Sequence, residues 1–307
     1  MTTAVVAQTY PSRPIHLIVP YPPGQSIDIM GRLIADKLSV ALGQPVIVEN
    51  KAGAGGVIGV DAGAKAAPDG YTLIMISNGT LVIAPWLVEK IPFDPVKDVT
   101  PIANAASVAH VLVAAPDFPA NNLAEFVAWA KANPGGYYYA SPGSGSTQHL
   151  TMEMLKTRTG INIVHVPYKA SPQAQTDIVG GHVPVMFDSV PALMTQLSAG
   201  KLKALAISSS ARSPYLPDVP TVAESGVPGF ESVGWIGVGA PAGTPAPIVQ
   251  RLNAEITAIL ATADMQKSMK TMGFVAINES PEAFAARIKS EVTSIGKVIK
   301  DANITLN

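Results

Sequence analysis

Hydrophobic and polar positions follow two alternating patterns along the chain. Short apolar runs, typical of buried strands, lead into stretches whose apolar residues recur every three or four positions. The first pair is a predicted strand at residues 15–20 and a predicted amphipathic helix at residues 27–42. Ser26 is placed to cap the start of this helix, and Gly43 is placed to end it.

The same reading extends over the whole chain and indicates an α/β fold. Strands alternating with helices favour mostly parallel sheets flanked by helices. Strands are predicted at residues 15–20, 46–49, 71–76, 110–114, 137–140, 163–166, 183–187, 204–208 and 234–240. Helices are predicted at residues 27–42, 123–132, 147–157, 172–179, 191–199, 245–260 and 281–301.

Two proline-rich passages, at residues 92–101 and 213–228, suggest where the chain passes between domains. Two crossings predict a discontinuous lobe 1, residues 10–102 plus 222–307, around an inserted lobe 2, residues 103–221. The alternative is one large sheet with two long surface loops.

Composition narrows the class of protein. The 307 residues are 48% hydrophobic and 14% charged, with a net charge of −1, so the chain can build a real core and shows no basic face for nucleic acid. No apolar run reaches the roughly 18 residues that a membrane helix needs. The absence of cysteine excludes disulfides, thiolate metal sites and cysteine nucleophiles.

The first nine residues have two interpretations. Val5, Val6 and Ala7 are small or apolar, as at the end of a secretory signal cut after Ala7. Residues 1–9 would then be a trimmed signal remnant; otherwise they are a disordered N-terminus.

The turn at residues 21–25 is the first candidate site. A strand that runs through a turn into a helix start directs free backbone N–H groups and a positive dipole end at one spot, which suits an anion. No basic residue lies between Arg13 and Arg32, so amides and hydroxyls must hold it, with Gln25 and Ser26 adding side-chain donors. Asp28 then orders the loop, contacts a ligand amino or hydroxyl group, or only caps the helix.

Residues 141–148 form a second turn of this kind. They follow a predicted strand, precede a predicted helix, and supply hydroxyls from Ser144, Ser146 and Thr147. Two such turns, one in each lobe, could take the two ends of a dicarboxylate. A serine hydrolase is the alternative function, using Ser144 or His149. However, Pro142 and Ser146 replace the two glycines of the nucleophile elbow.

Three further features carry weaker hypotheses. The glycine-rich residues 53–59 resemble a dinucleotide-binding turn, but the spacing is loose and tight helix–sheet packing is favoured.

No two histidines have the spacing of a metal site, and for His149 we favour a packing or orienting role over ligand contact. Tyr168 and Asp188 follow predicted strands; Tyr168 could close over a ligand and Asp188 could bond to loop amides. Trp86 and Trp235 line the cleft or fill the core.

An ordered set of short motifs resembles the Bug family of periplasmic solute-binding proteins, which serve tripartite tricarboxylate transporters. The motifs are YPSRPI (10–15), VPYPPG (19–24), LGQPV (42–46), ENKAGAGG (49–56), APDGYTL (67–73), FDPVKD (93–98), HVPYK (165–169), LPDVPT (216–221) and APAGTP (240–245).

The resemblance implies a two-lobed, class II Venus-flytrap fold, periplasmic residence after export by a signal peptide, and an inner-membrane permease as partner. It also implies a carboxylate held at the interlobe cleft by loop amides, hydroxyls and ordered waters. The chain departs from the family at Gln25, where a glycine is usual, and at Ile27, where threonine is common. A neutral amide there would also tolerate an aromatic acid such as terephthalate or a longer diacid.

We therefore predict a non-catalytic, monomeric receptor for a small organic di- or tricarboxylate, without cofactor, metal or nucleic acid. The predicted ligand-binding residues are Tyr21, Pro23, Gly24, Gln25, Ser26, Asp28, Ser77, Asn78, Thr80, Ser141, Ser144, Gly145, Ser146, Thr147, His149, Tyr168 and Asp188.

Overall fold

The computed structural model describes residues 10–88, 90–277 and 279–301. The predicted signal remnant, residues 1–9, lies outside this part of the chain, so the secretory leader stays a prediction. The strands are β1 Ile15–Val19, β2 Val46–Asn50, β3 Thr72–Ser77, β4 Val99–Ala114, β5 Tyr138–Ser141, β6 Val164–Pro167, β7 Val185–Ser189, β8 Lys203–Ile207, β9 Val233–Pro241 and β10 Val275–Ala276.

Helices separate most of these strands. A 3₁₀ turn at Ala54–Gly56 precedes α2, and a π-helical turn at Gly79–Ile83 precedes α3. The helices are α1 Ser26–Leu42, α2 Val57–Ala64, α3 Ala84–Leu87, α4 Leu123–Ala132, α5 Thr147–Thr159, α6 Ser171–Val179, α7 Val190–Ser198, α8 Ala246–Ala261, α9 Ala263–Met272 and α10 Pro281–Asp301.

The predicted helices are all present, with ends shifted by at most two residues, whereas α2, α3 and α9 were not predicted. Their sequences explain this. α2 contains two interior glycines and no clear apolar stripe, and α3 has only four residues. In α9 only Met265 and Met269 are buried, so one pair of residues at i and i+4 carries its apolar face.

Strand β4 is longer than the sequence pattern suggests. Only residues 110–114 were predicted, yet the strand begins at Val99. Its first part contains Pro101 and several alanines, which have weak strand preference, and its register against β9 shifts twice, between Pro101 and Ala103 and between Asn104 and Ala106. For these reasons the sequence pattern does not predict the first part of β4, the strand that pairs with strands of both sheets.

Strand β4 joins two sheets into one array. The first sheet has the order β2-β1-β3-β9-β4, with β10 also on β4, and the second has the order β4-β7-β5-β6, with β8 on β4. Pairing changes from β9 to β7 and β8 between Ala109 and His110. The expected parallel pairing holds among β1–β3 and among β5–β7, while the pairs of β4 and β9 are antiparallel.

Each sheet packs on its own apolar core. In the first, the stripe of α1, with Met30 and Ile34, meets β1 and α8. In the second, Phe126 of α4 and Phe187 of β7 pack together with Val222, Val227 and Phe230, which precede β9. The division into residues 10–102 plus 222–307 and residues 103–221 stays a prediction.

Helix α10 packs against elements of both sheets. Phe284 is fully buried and meets the ring of Trp235 edge to face, with ring centroids 4.9 Å apart. Towards the other end of the helix, Ile299 shares a small core with Leu150 of α5. The last helix therefore connects the two halves by packing.

Because Phe284 fills this contact, Phe284→Ala should lower the free energy of unfolding by about 3–5 kcal/mol. Val40→Ala is the control, because Val40 is 83% exposed and its loss should change stability by at most about 0.5 kcal/mol. Urea denaturation measures both, and equal effects of the two variants would contradict the packing described for α10.

Candidate functional site

The turn after β1 brings free backbone donors to the start of α1. The capping residue is Gln25, not Ser26 as predicted, since Gln25 is extended (φ −79°, ψ 157°) and Ser26 is the first helical residue. The Gln25 carbonyl accepts the first helical hydrogen bond, from the Asp28 N–H at 2.9 Å. The N–H groups of Ser26 and Ile27 precede that bond and have no acceptor within the helix.

Asp28 holds this turn in shape. Its carboxylate accepts hydrogen bonds from the Gly24 N–H at 3.0 Å, from Arg32 Nε at 3.1 Å and from Asn50 Nδ2 at 2.8 Å. Burial alone would raise the pKa of Asp28, but the hydrogen bonds from Arg32, Asn50 and Gly24 outweigh burial and lower the pKa. Asp28 thus orders the loop, one of the three roles that its sequence position allowed.

The turn after β5 presents the start of α5 in the same way. Ser146 caps the helix, with its Oγ accepting from the His149 N–H at 3.2 Å, and its own N–H donates to the Gly143 carbonyl at 3.2 Å. The next two N–H groups, of Thr147 and Gln148, are left without helical acceptors.

Both helix starts open on one cavity between the two sheets. Among its lining residues that the structure describes, none is lysine, arginine, aspartate or glutamate. Burial lowers the pKa of His110 to about 4, so this imidazole is neutral at pH 7. The lining residues are Tyr21, Gln25, Ser26, Ile27, Ser77, Asn78, Val108, His110, Thr147, Gln148, Gly234, Trp235 and Ile236.

The turn after β5 contacts residues that follow β2 and β3 in the first sheet. Thr147 Oγ1 donates to Asn78 Oδ1 at 3.3 Å, and the same oxygen accepts from the Trp235 N–H at 3.3 Å. At Gly55 (φ +64°) a Cβ would stand 2.9 Å from the Ser144 carbonyl oxygen. The halves are therefore closed upon each other, with glycine at a point of close approach.

Gln25 is the side chain in the cavity with an unused donor. The residue is 6% exposed, and its Nε2 makes no hydrogen bond with any part of the chain that the structure describes. A buried amide nitrogen without an acceptor is unfavourable. The described chain leaves this donor to be satisfied by a partner from outside.

Several predicted residues support the turns from behind instead of lining the inner cavity. Thr80 Oγ1 donates to the Ser77 carbonyl at 3.0 Å. Ser141 Oγ lies 2.6 Å from His165 Nε2. Both Thr80 and Ser141 are fully buried, and Pro23 is exposed. Thr80 thus holds the turn after β3, and Ser141 lies at the end of β5, before the turn that leads into α5.

His149 has the packing role that the sequence favoured. It is fully buried, its Nδ1 accepts from the Gly145 N–H at 3.3 Å, and its ring stacks on His165 with centroids 4.0 Å apart. It does not line the inner cavity, so it braces the turn that carries Thr147 and Gln148.

A second, outer cavity lies beside the first and accounts for other predicted residues. Tyr21 stands between the two, with its hydroxyl donating to the Gly55 carbonyl at 2.8 Å. Ser144 and Tyr168 line the outer cavity, and the Tyr168 hydroxyl donates to Asp177 Oδ2 at 2.6 Å. The glycine-rich segment forms its wall.

Gly59, in α2, confirms the tight packing expected of the glycine-rich segment, because a Cβ there would stand 2.6 Å from Pro20 Cα. The packing role was favoured over cofactor binding in the sequence.

Asp188 positions Gln148 instead of facing the cavity. Its carboxylate accepts from Gln148 Nε2 at 3.1 Å, from Gln175 Nε2 at 3.2 Å and from the Ser189 N–H at 2.7 Å. Burial raises the pKa of Asp188, and the hydrogen bonds partly offset this. The partners differ from the loop amides expected from the sequence, because they are the side chains of two helix residues and the N–H of the adjacent strand residue.

Sequence reasoning did not include Gln148, His110 and Trp235 among the predicted ligand-binding residues. Gln148 ends a predicted turn and could have been included, whereas a histidine at the start of an apolar strand gives no local signal. Trp235 lines the cavity and donates from Nε1 to Glu291 at 2.7 Å. Trp86 instead packs on α10, donating to the Val292 carbonyl at 2.7 Å.

The chain belongs to the tripartite tricarboxylate transporter receptor family, whose model matches residues 30–304. Protein BugT of Bordetella pertussis is 40% identical over 303 residues, which is 98% of this chain and 93% of BugT. This confirms the resemblance to the Bug family.

Solved structures of the same kind superpose closely. Periplasmic binding protein BugD is 36% identical, with a TM-score of 0.92, and 96% of this chain and 99% of BugD are covered. Rpa4515 of R. palustris, solved with adipate, is 34% identical with a TM-score of 0.94, covering 96% and 99%. MatC of Rhodopseudomonas palustris, solved with malate, is 33% identical with a TM-score of 0.90, covering 94% and 100%.

These likenesses confirm the periplasmic binding-protein fold and the class of the protein, a periplasmic solute receptor. Its family and its structural neighbours are binding proteins, not enzymes, so the hydrolase alternative is set aside. In the described part of the chain, no helix is long and apolar enough to cross a membrane, and no cluster of three metal-ligating side chains occurs.

The buried histidines predict a pH dependence of stability. Burial lowers the pKa of His110 to about 4, and burial together with Lys156 lowers that of His149 to about 4, from 6.5. Below pH 6.5 the unfolded chain therefore binds protons that the folded chain does not, so the free energy of unfolding decreases as the pH is lowered. Between pH 7 and pH 5 each histidine should remove about 2 kcal/mol from the free energy of unfolding.

Urea denaturation at pH 7, 6 and 5 measures this loss. His149→Phe keeps a ring in the stack but cannot titrate, so its stability should fall less over this range. An unchanged pH slope in the variant would contradict the burial described for His149.

Proposed function

We propose that this receptor binds a small organic di- or tricarboxylate in the inner cavity between the two sheets. The supporting observation is the convergence of two helix starts on one cavity whose described lining carries no charged side chain. Ser26 and Ile27 offer free N–H groups from α1, and Thr147 and Gln148 offer free N–H groups from α5. Four backbone donors and two helix dipoles suit a carboxylate.

Neutral donors suit a ligand that must be released again. A buried lysine or arginine would carry a large desolvation cost in the empty receptor, whereas backbone amides are polar, fixed and uncharged. Charge-assisted hydrogen bonds contribute roughly 1.5–3 kcal/mol each. A few of them, with buried apolar ligand surface, account for about −8 kcal/mol, which corresponds to micromolar affinity.

Closure follows from the same arrangement. A carboxylate bound by the start of α1 completes its shell of donors only when α5 approaches, so the ligand stabilises the closed form through contacts that the open form lacks. The contacts between Asn78 and Thr147 and between Gly55 and Ser144 then seal the cleft.

The partner in transport is proposed from the family. The closed receptor hands its ligand to a tripartite tricarboxylate transporter permease in the inner membrane. Adipate and malate, found with two relatives, define a first set of candidate ligands. Citrate is added as a tricarboxylate, and terephthalate is added because a neutral amide at Gln25 would tolerate an aromatic acid.

A melting-temperature screen of these four acids, followed by calorimetry, tests the proposal. We expect at least one acid to raise the melting temperature and to bind without being converted, since the donors recognise COO⁻. The corresponding methyl ester is the control and should not bind. If none of the acids binds, or if the ester binds equally well, the proposal is wrong.

Proline substitutions test the backbone donors directly. Ser26→Pro and Thr147→Pro each delete one N–H at the first helical position, where proline is well tolerated. The preceding residues already have the extended angles that proline requires, ψ 157° at Gln25 and ψ 158° at Ser146. Calorimetry should show affinity reduced about 10- to 100-fold in each variant.

The matched control is Ala263→Pro, at the first position of α9, outside the cleft and exposed. It should leave the affinity unchanged. Ser26→Ala separates the hydroxyl from the N–H and should have the smaller effect. Full affinity in both cleft proline variants would refute the proposed donors.

A further inference from the structure

The inner cavity contains a donor and an acceptor that no group of the described chain uses. Gln25 lines the cavity, and its Nε2 is buried and makes no hydrogen bond with the described part of the chain. Its carbonyl and side chain immediately precede the N–H groups of Ser26 and Ile27, so the amide lies beside the place proposed for the carboxylate. Such a donor requires an acceptor on the ligand.

His110 supplies the complementary group. Its Nδ1 lies 3.3 Å from the Ser232 carbonyl oxygen. A carbonyl only accepts, so Nδ1 carries the proton and Nε2 of the neutral ring keeps its lone pair. His110 lines the same cavity as Gln25 and lies on β4, where the strand passes from one sheet to the other.

A hydroxyl is the one small group whose hydrogen-bonding chemistry suits both side chains. A hydroxyl accepts a hydrogen bond from Gln25 Nε2 and donates one to His110 Nε2. A second carboxylate would satisfy Gln25 but meet the lone pair of His110, and a methylene group would leave both side chains unpaired. The cavity therefore discriminates by the presence of a hydroxyl.

We propose that Gln25, together with His110, makes this receptor selective for 2-hydroxy carboxylates, whose hydroxyl lies next to the carboxylate held by α1. The inference rests on the proposed function and specifies the ligand class of the same site. Gln25 contacts the ligand hydroxyl, and the backbone donors contact the carboxylate.

Matched acids with and without the hydroxyl test this selectivity. Calorimetry compares malate with succinate and 2-hydroxyglutarate with glutarate. In the unaltered protein the hydroxy acid should bind at least about tenfold more tightly, because a site built to bond a hydroxyl leaves polar groups unpaired when the hydroxyl is missing.

Gln25→Leu keeps a similar volume and removes the donor, so the affinity ratio within each pair should fall to within about twofold. Gln25→Met is a second variant, should the first not fold. Gln44→Leu is the same change away from the cleft, at the turn before β2, and should keep the unaltered ratio.

The outcomes separate the two proposals. Equal binding of both acids in each pair, or a ratio that survives the loss of the Gln25 amide, overturns the selectivity and leaves carboxylate binding intact. Absence of binding by these four acids overturns the selectivity, and carboxylate binding is overturned as well only if adipate, citrate and terephthalate also fail to bind. A ratio that collapses in Gln25→Leu and persists in Gln44→Leu supports the assignment.

Discussion

A carboxylate that leaves water needs hydrogen-bond donors in its new surroundings, and we propose that the free N–H groups at the starts of α1 and α5 are those donors. Those groups are unpaired because of helix geometry, not because of particular side chains. An uncharged site also avoids a buried cation when no ligand is present.

Each turn is fixed by a buried carboxylate that stands behind it. Asp28 bonds to the Gly24 N–H, Arg32 and Asn50, and Asp188 bonds to Gln148 and Gln175. Neither aspartate lines the inner cavity, so their charge orders the backbone without facing an anionic ligand. This separates the groups that position the site from the groups proposed to bind.

Much of the fold could be predicted because its elements carry strong local patterns. The apolar stripes of α1 and α10 gave their ends to within one residue, while the first part of β4 was missed because Pro101, alanines and two register shifts disguise it. The cap of α1 was placed one residue too late, since Ser26 is the better capping residue by type but Gln25 has the extended backbone.

The parts of the candidate site that lie on turns could be predicted from the sequence. The parts that depend on tertiary contacts could not. Both strand-to-helix turns were read from local sequence. The place of His110 in the cavity depends on β4 passing between the sheets, and the support that Asp188 gives to Gln148 depends on the approach of β7 to α5. No local pattern encodes either relation.

A crystal structure of the receptor with a bound carboxylate tests the central claim most directly. The account predicts carboxylate oxygens about 2.9 Å from backbone nitrogens at the starts of both α1 and α5. A carboxylate bound by a lysine or arginine side chain, or bound outside the inner cavity, would contradict it.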